Sequence, residues 1–129
     1  MTDLHMLFEI RGQTAVITGG SGHFGRAMAH ALAQAGAHVA ILGRNRESAQ
    51  AVATAIQGEG GTALAVACDV MSRASLEQSQ EKILSAFGQV DILINAAGGN
   101  SPAATTSSEH SFFDLDTEAI NHVFGLNCT

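Results

Sequence analysis

The chain has 129 residues, enough for one domain or for half of a larger one. Apolar residues make up 46% of it, sufficient for a buried core, and its formal net charge of −6 argues against partners that need a basic surface, nucleic acid and anionic membrane among them. Two cysteines, Cys68 and Cys128, make no disulfide framework and no Cys-x-x-Cys, which suits a reducing compartment; with an opening stretch unlike a signal peptide, a cytoplasmic location is expected.

The first element is TAVIT (14–18), a β-branched run ending in glycines, as expected of a buried strand. Ser21 is a candidate N-cap for the helix that follows, with Phe24, Ala27, Met28, Ala31, Leu32 and Ala35 at the spacing of one face and Gly36 at the C′ stop. HVAIL (38–42) predicts a second strand. Past Gly-Arg-Asn, a second helix has Ala49, Val52, Ala53 and Ile56 on one side and ends in Gly58, Gly60 and Gly61. ALAVA (63–67) predicts a third strand, and Ser72 a cap for a helix bearing Leu76, Ile83, Leu84 and Phe87, stopped by Gly88. VDILINA (90–96) predicts a fourth strand. After a Gly/Ser/Thr/Ala-rich loop, Asp116 caps a last helix carrying Ile120, Val123 and Phe124.

Strand and helix alternating through short connections require parallel strands with right-handed crossovers. Strands apolar on both faces need cover on both sides. The expected fold is therefore α/β, a doubly wound parallel sheet of about four strands with helices on both faces. No internal repeat or domain boundary interrupts it, so 1–129 reads as one dinucleotide-binding domain.

Gly20-x-Gly22-x-x-Gly25 follows the first strand directly and opens the first helix. In that context the glycines expose backbone N–H groups at a helix N-terminus, where pyrophosphate binds; a tight turn without ligand is the alternative. Dinucleotide sites of this type commonly place an acid about 20 residues on, against the adenine-ribose hydroxyl. Here Gly43 and then Arg44 stand there, and a guanidinium suits a 2′-phosphate, so NADP(H) is favoured with NAD(H) possible; Arg44 stacked on adenine or turned to solvent is the other reading.

Together these motifs resemble the short-chain dehydrogenase/reductase family over nearly the whole chain. Its loop pattern, Thr-Gly-x-x-x-Gly-x-Gly, is matched by Thr18, Gly19 and Gly25, with His23 in the place of the middle glycine. Cys68-Asp69-Val70 resembles the family's pair lining the adenine pocket, and Asn95-Ala96-Ala97-Gly98 its Asn-Asn-Ala-Gly motif. The resemblance implies cofactor contacts from Gly19, Ser21, Gly22, His23, Phe24, Gly25, Arg44, Asp69, Val70, Asn95, Ala96 and Gly98.

GGNSPAATT (98–106), FFDLD (112–116) and VFGLN (123–127) are most similar to the D-mannonate oxidoreductase, or fructuronate reductase, branch. That implies interconversion of a sugar acid and its keto form with a nicotinamide cofactor; another sugar acid or a polyol is the neighbouring alternative. Asn100, Ser101, Thr105 and Thr106 become candidate contacts for a polyhydroxy acid. Asn127, a carboxamide on the stripe of Ile120, Val123 and Phe124, matches the family's catalytic Asn, which helps hold a water in the proton relay; a cap on the helix end is the alternative.

The family's Ser and Tyr-x-x-x-Lys have no counterpart here, since the chain contains no tyrosine and a single lysine, Lys82. The expectation is a cofactor-binding portion that stops before the catalytic half and is inactive alone. A homo-oligomer is implied for the full-length protein, and self-association for the isolated piece through its unpaired fourth strand. A non-enzymatic dinucleotide-binding module is the rival, and an interaction fragment with an empty loop a third reading. The six histidines, His5, His23, His30, His38, His110 and His122, show no zinc-like spacing, so no metal is expected.

Overall fold

The structure is a computed structural model describing residues 7–128; His5 and Thr129 lie outside the described residues. The chain divides into two units, one ending at Ala96 and the other beginning at Ala97. The first contains strands β1 (Thr14–Thr18), β2 (His38–Gly43), β3 (Thr62–Ala67) and β4 (Ile92–Asn95), and helices α1 (His23–Gln34), α2 (Arg46–Gly58) and α3 (Arg73–Phe87). All strand pairings are parallel, in the order β3-β2-β1-β4. The register pairs Thr18 with Leu42 on one side and with Asn95 on the other.

This is the expected doubly wound sheet. β1 is buried at all five positions, and β2 at every position but His38. Outer strands β3 and β4 are covered only in part, and β4 is shorter than the apolar run 90–96 suggested. Asp91 stands just before β4, its N–H donating to the Thr14 carbonyl (2.9 Å) while its carboxylate accepts the Thr14 N–H (2.7 Å) and a Gln89 amide hydrogen (2.9 Å).

Two apolar clusters divide between the faces of the sheet. Ile17, Val39 and Ile41 pack with Ala29 and Ala33 of α1 and with Ala49, Val52, Ala53 and Ile56 of α2. On the other face Val16, Ala40, Leu42 and Val66 meet Ile83 of α3. The α2 face is the predicted one, residue for residue.

The α1 face is not. Its buried residues are Gly25, Ala29 and Ala33, with Met28 and Leu32 packed alongside; Ala27, Ala31 and Ala35 are exposed and Phe24 is 85% exposed. The helix rests so closely on the sheet that only small side chains fit its contact line. Ser21 is also not its cap. The N-cap is Gly22, with no side-chain hydrogen bond.

α3 has a related departure. Ser79 and Ile83 are its buried residues, while Leu76 and Leu84 are 37% and 41% exposed. Ser79 tolerates burial because its hydroxyl donates to the Ser75 carbonyl one turn back (2.7 Å).

Apart from the start of α1, helix ends follow the sequence closely. The Asn45 side chain accepts the Ser48 N–H (2.9 Å), and Ser72 accepts that of Ser75 (3.3 Å). α1 and α2 both finish in Schellman motifs. Gly36 donates to the Ala33 carbonyl and Ala37 to that of Leu32; Gly60 and Gly61 repeat the pattern on Gln57 and Ile56.

The second unit contains two short 3-10 turns, Pro102–Ala104 and Phe112–Asp114, and helix α4 (Thr117–Cys128). Asp116 begins α4 as predicted: its carboxylate accepts the Glu118 N–H (3.0 Å) and its carbonyl that of Ile120 (3.0 Å). Ile120 and Val123 are half-buried, but Phe124 is 63% exposed and Asn127 is exposed.

Candidate cofactor-binding site

Every candidate of the first unit lies at the carboxyl end of a parallel strand. The segment 19–25 follows β1, Arg44 follows β2, Asp69 and Val70 follow β3, and Asn95 ends β4 with Ala96 after it. The strand order arranges them as Asp69, Arg44, the glycine loop and Asn95, over about 14 Å at the usual strand spacing. β1 lies between β2 and β4, so the winding reverses at β1. Such a switch point leaves a crevice above the strand ends, where ligands of open α/β sheets bind.

The loop is held against the sheet at its base. Gly20 N–H donates to the Leu42 carbonyl (3.1 Å) and Gly22 N–H to that of Gly19 (3.0 Å). Gly19 has φ +65°, a region side chains rarely adopt. A Cβ on Gly20 would stand 2.9 Å from Ile41 Cγ2, and one on Gly25 would drive into the Gly19 carbonyl oxygen and come 2.7 Å from Gly20 Cα. These two glycines allow the backbone of loop and helix to close on each other.

The first bond of α1 runs from Arg26 N–H to the Gly22 carbonyl (2.9 Å), so the amides of His23, Phe24 and Gly25 precede any helical acceptor. No side chain caps this end and no acid stands in its first turn. Donors at the positive end of a helix dipole, with no acceptor supplied by a cap, fit an anion such as pyrophosphate.

Arg44 is exposed, with no acid from Gly43 to Arg46. A Cβ at Gly43 would meet Ser21 Oγ at 3.0 Å, so this position is narrowed by the loop itself. Asp69 is set by local bonds. Its N–H donates to Ser75 Oγ (3.0 Å), its carbonyl accepts from Ser72, and its carboxylate accepts the Met71 N–H (3.0 Å). Cys68 is buried beside it as a free thiol. At β4 the Ala96 N–H is shared between the carbonyl and the hydroxyl of Thr18, each at 3.2 Å. Thr18 and Ser75 support these candidate residues from positions the motifs do not mark; a hydroxyl at a strand end or in a first helical turn is a usable but weak signal.

Within the second unit Asn127 engages Gly99. Its Nδ2 donates to the Gly99 carbonyl (2.8 Å) and its Oδ1 accepts the Gly99 N–H (3.2 Å). The same Nδ2 reaches the Val123 carbonyl one turn back (2.8 Å). A Cβ on Gly98 would lie 2.7 Å from that Oδ1, which accounts for a glycine there. The carboxamide is thus taken up by backbone, on an exposed rather than a core-facing position. Of the substrate candidates, Asn100 Nδ2 donates to Thr105 Oγ1 (2.9 Å), whose hydroxyl donates to the Ser101 carbonyl (2.8 Å). In the same unit Ser111 donates to Asp114 (2.5 Å), and that bond is the main reason its carboxyl is held below the ordinary range.

Asn127→Ala is expected to cost the second unit about 1 kcal/mol, since it removes both partners of the Gly99 backbone. Hydrogen exchange at the Gly99 amide should speed up, while Gly20 exchange stays unchanged.

Among the described residues no group of His, Cys, Asp and Glu is arranged to hold a metal ion, and no helix is long and apolar enough to cross a membrane.

The short chain dehydrogenase family profile matches residues 13–129. The uncharacterized oxidoreductase UxuB of Bacillus subtilis is 52% identical, over 94% of this chain and 46% of its own length. A structure with bound NAD, assigned as a D-mannonate oxidoreductase from Haemophilus influenzae, superposes with a TM-score of 0.88 at 36% identity, covering 98% of this chain and 49% of that one. A metagenomic short-chain oxidoreductase in complex with NADP superposes at 0.78 with 28% identity, covering 92% and 51%. The chain therefore spans about half the length of these relatives. With the loop, the switch point and the strand-end residues in place, the chain belongs to the short-chain dehydrogenase family of oxidoreductases.

Proposed function

We propose that these 129 residues form the dinucleotide-binding portion of a short-chain oxidoreductase that interconverts D-mannonate and D-fructuronate, with NADP(H) favoured over NAD(H). The observation that carries this reading is the uncapped, acid-free start of α1 above the switch point, flanked by Arg44 and Asp69 on one side and Asn95 on the other. In it Gly19, Ser21, Gly22, His23, Phe24 and Gly25 surround the pyrophosphate, Arg44 meets the 2′-phosphate, and Asp69 and Val70 line the adenine. Asn95 and Ala96 pass beside the ribose. Asn127 is a positioning residue, acting through the backbone of Gly99.

A bound nicotinamide supplies the hydride. The chain's own residues bind and orient it: backbone amides neutralise the phosphates, Arg44 selects between cofactors, and small strand-end residues keep the crevice open. Proton transfer at the substrate needs groups that this stretch, with no tyrosine, does not contain. The chain alone is therefore proposed to bind cofactor without turnover, in the cytoplasm, with a homo-oligomeric whole protein. The similarity to the D-mannonate oxidoreductase supports the sugar acid as substrate.

Reading the gene past the codon for Thr129 and assaying its full product tests this. A Ser and a Tyr-x-x-x-Lys in frame, with NADPH-dependent reduction of D-fructuronate, is the expected result. A full product that binds cofactor but reduces no sugar acid favours the non-enzymatic module instead.

Among the described residues β4 is paired on one side only, and its Leu93 is 60% exposed. The isolated chain is therefore proposed to self-associate. Sedimentation should show mass rising with concentration in the micromolar range; a monomer throughout would contradict it.

A further inference from the structure

We propose that the free edge of β3 is a self-complementary surface that pairs with β3 of a second copy of this chain, antiparallel and about a two-fold axis at Ala65. This surface runs along the side of the sheet, apart from the strand ends where the cofactor residues gather.

β3 is an outer strand, and among the described residues it pairs only with β2, in unbroken register from Thr62 to Ala67. Two bonds fix which of its backbone groups face outward. Cys68 N–H donates to the Gly43 carbonyl (3.0 Å), so by alternation the groups of Thr62, Leu64 and Val66 also turn toward β2. Those of Ala63, Ala65 and Ala67 turn away from it. Accordingly the Ala63 carbonyl accepts the Gln57 side-chain amide, which reaches it from α2 (2.8 Å). Beyond that bond the edge has few of the usual guards: TALAVA contains no charge, no proline and no bulge.

A two-fold at Ala65 suits the groups that remain. Ala65 of each copy exchanges both of its bonds with Ala65 of the other, and each Ala63 N–H donates to the Ala67 carbonyl opposite. None of these bonds uses the carbonyl that Gln57 holds. The flank of the edge carries both signs of charge. Leu64 and Val66 line a groove of about 450 Å³ whose far wall is α3, with Glu81, Lys82 and Ser85. Glu81 and Lys82 are exposed, and among the described residues neither has an ion-pair partner. Both face Leu64 and Val66, the level of the axis, so the two-fold sets Lys82 of each copy toward Glu81 of the other. An edge that offers donors with acceptors and an acid with a base matches its own rotated image, as an isologous contact requires. A partner of one charge sign would find no such match.

Hydrogen exchange on the unaltered 129-residue chain reads this edge directly, because its outward amides have no ladder partner in a single copy. From low to high micromolar concentration, exchange at the Ala63 and Ala65 amides should slow by about tenfold, as about nine-tenths of the copies pair. Association through β4 alone would protect β4 and leave these two amides unchanged, and that result overturns the proposal. Lys82→Glu, which sets like charges across the axis, should weaken the pairing by about tenfold; adding Glu81→Lys to it should restore the parent's behaviour. Both positions are exposed, so melting curves like the parent's are expected of these variants. Protection that Lys82→Glu leaves untouched overturns the two-fold arrangement. Ala63 and Ala65 amides that stay unprotected at every concentration overturn self-pairing and leave the edge to an extended peptide of another protein.

Discussion

Gly25→Ala is expected to destabilise the first unit by about 3 kcal/mol and to lower dinucleotide affinity by about a hundredfold or more. The added methyl group would meet the Gly19 carbonyl oxygen and Gly20 Cα, both backbone atoms of the loop that α1 packs on. Neither is the flexible end of a side chain. Relief requires α1 to lift from the sheet, which opens the contacts of Ala29 and Ala33 with Ile17 and Ile41. Urea unfolding followed by circular dichroism measures the first effect, and cofactor fluorescence the second. Gly58→Ala is the control: nothing lies within 4 Å of its added Cβ, and its stability should stay within about 0.5 kcal/mol or rise. A Gly25→Ala protein as stable as its parent would mean that loop and helix do not close as described.

Arg44→Ala is expected to weaken NADPH binding by about 10- to 100-fold and to change NADH binding by less than about threefold. A guanidinium can offer two parallel donors to a 2′-phosphate, and NADH has no such group to lose. Exposure of Arg44 leaves it free to turn toward a ligand. The salt dependence should differ as well, with NADPH affinity of the parent falling as ionic strength rises and the variant responding less. Equal losses for both cofactors would assign Arg44 to adenine stacking instead.

Much of this architecture was legible because the strands and helix ends are specified locally. Asn45, Ser72, Asp116, Gly36 and Gly88 each do what their residue type favours at a helix boundary, and TAVIT and the VAIL of the second strand are buried as their apolar runs imply. The face of α1 was not legible by periodicity. Alanine at 27, 31 and 35 satisfies the same spacing as alanine at 29 and 33, and only the closeness of helix to sheet decides between them. That closeness is set by Gly25 against Gly19, a contact of shape rather than hydropathy. Leu76 and Leu84 mislead in the same way, since they look like core while Ser79 takes the buried position by bonding its own helix.

The site divides similarly. Its glycines and Arg44 are legible at their strand ends because a fingerprint in a strand–loop–helix context carries its own geometry, and Asp69 and Asn95 only through their resemblance to family motifs. The support beneath them is not legible, because Thr18 to Ala96 and Ser75 to Asp69 are contacts between segments that only the folded register brings together. Asn127 breaks an apolar stripe in the sequence, and its work in the structure is more local: it holds both backbone groups of Gly99.

The loop after β1 is proposed to bind the pyrophosphate of a nicotinamide dinucleotide. Titrating the 15N-labelled chain with NADPH and following its backbone amides tests that most directly. Saturable shifts are expected to be largest at Gly19, Gly22, His23, Phe24 and Gly25, with a second group at Arg44, Asp69 and Asn95. The absence of saturable shifts, or shifts confined to residues away from the strand ends, would contradict it.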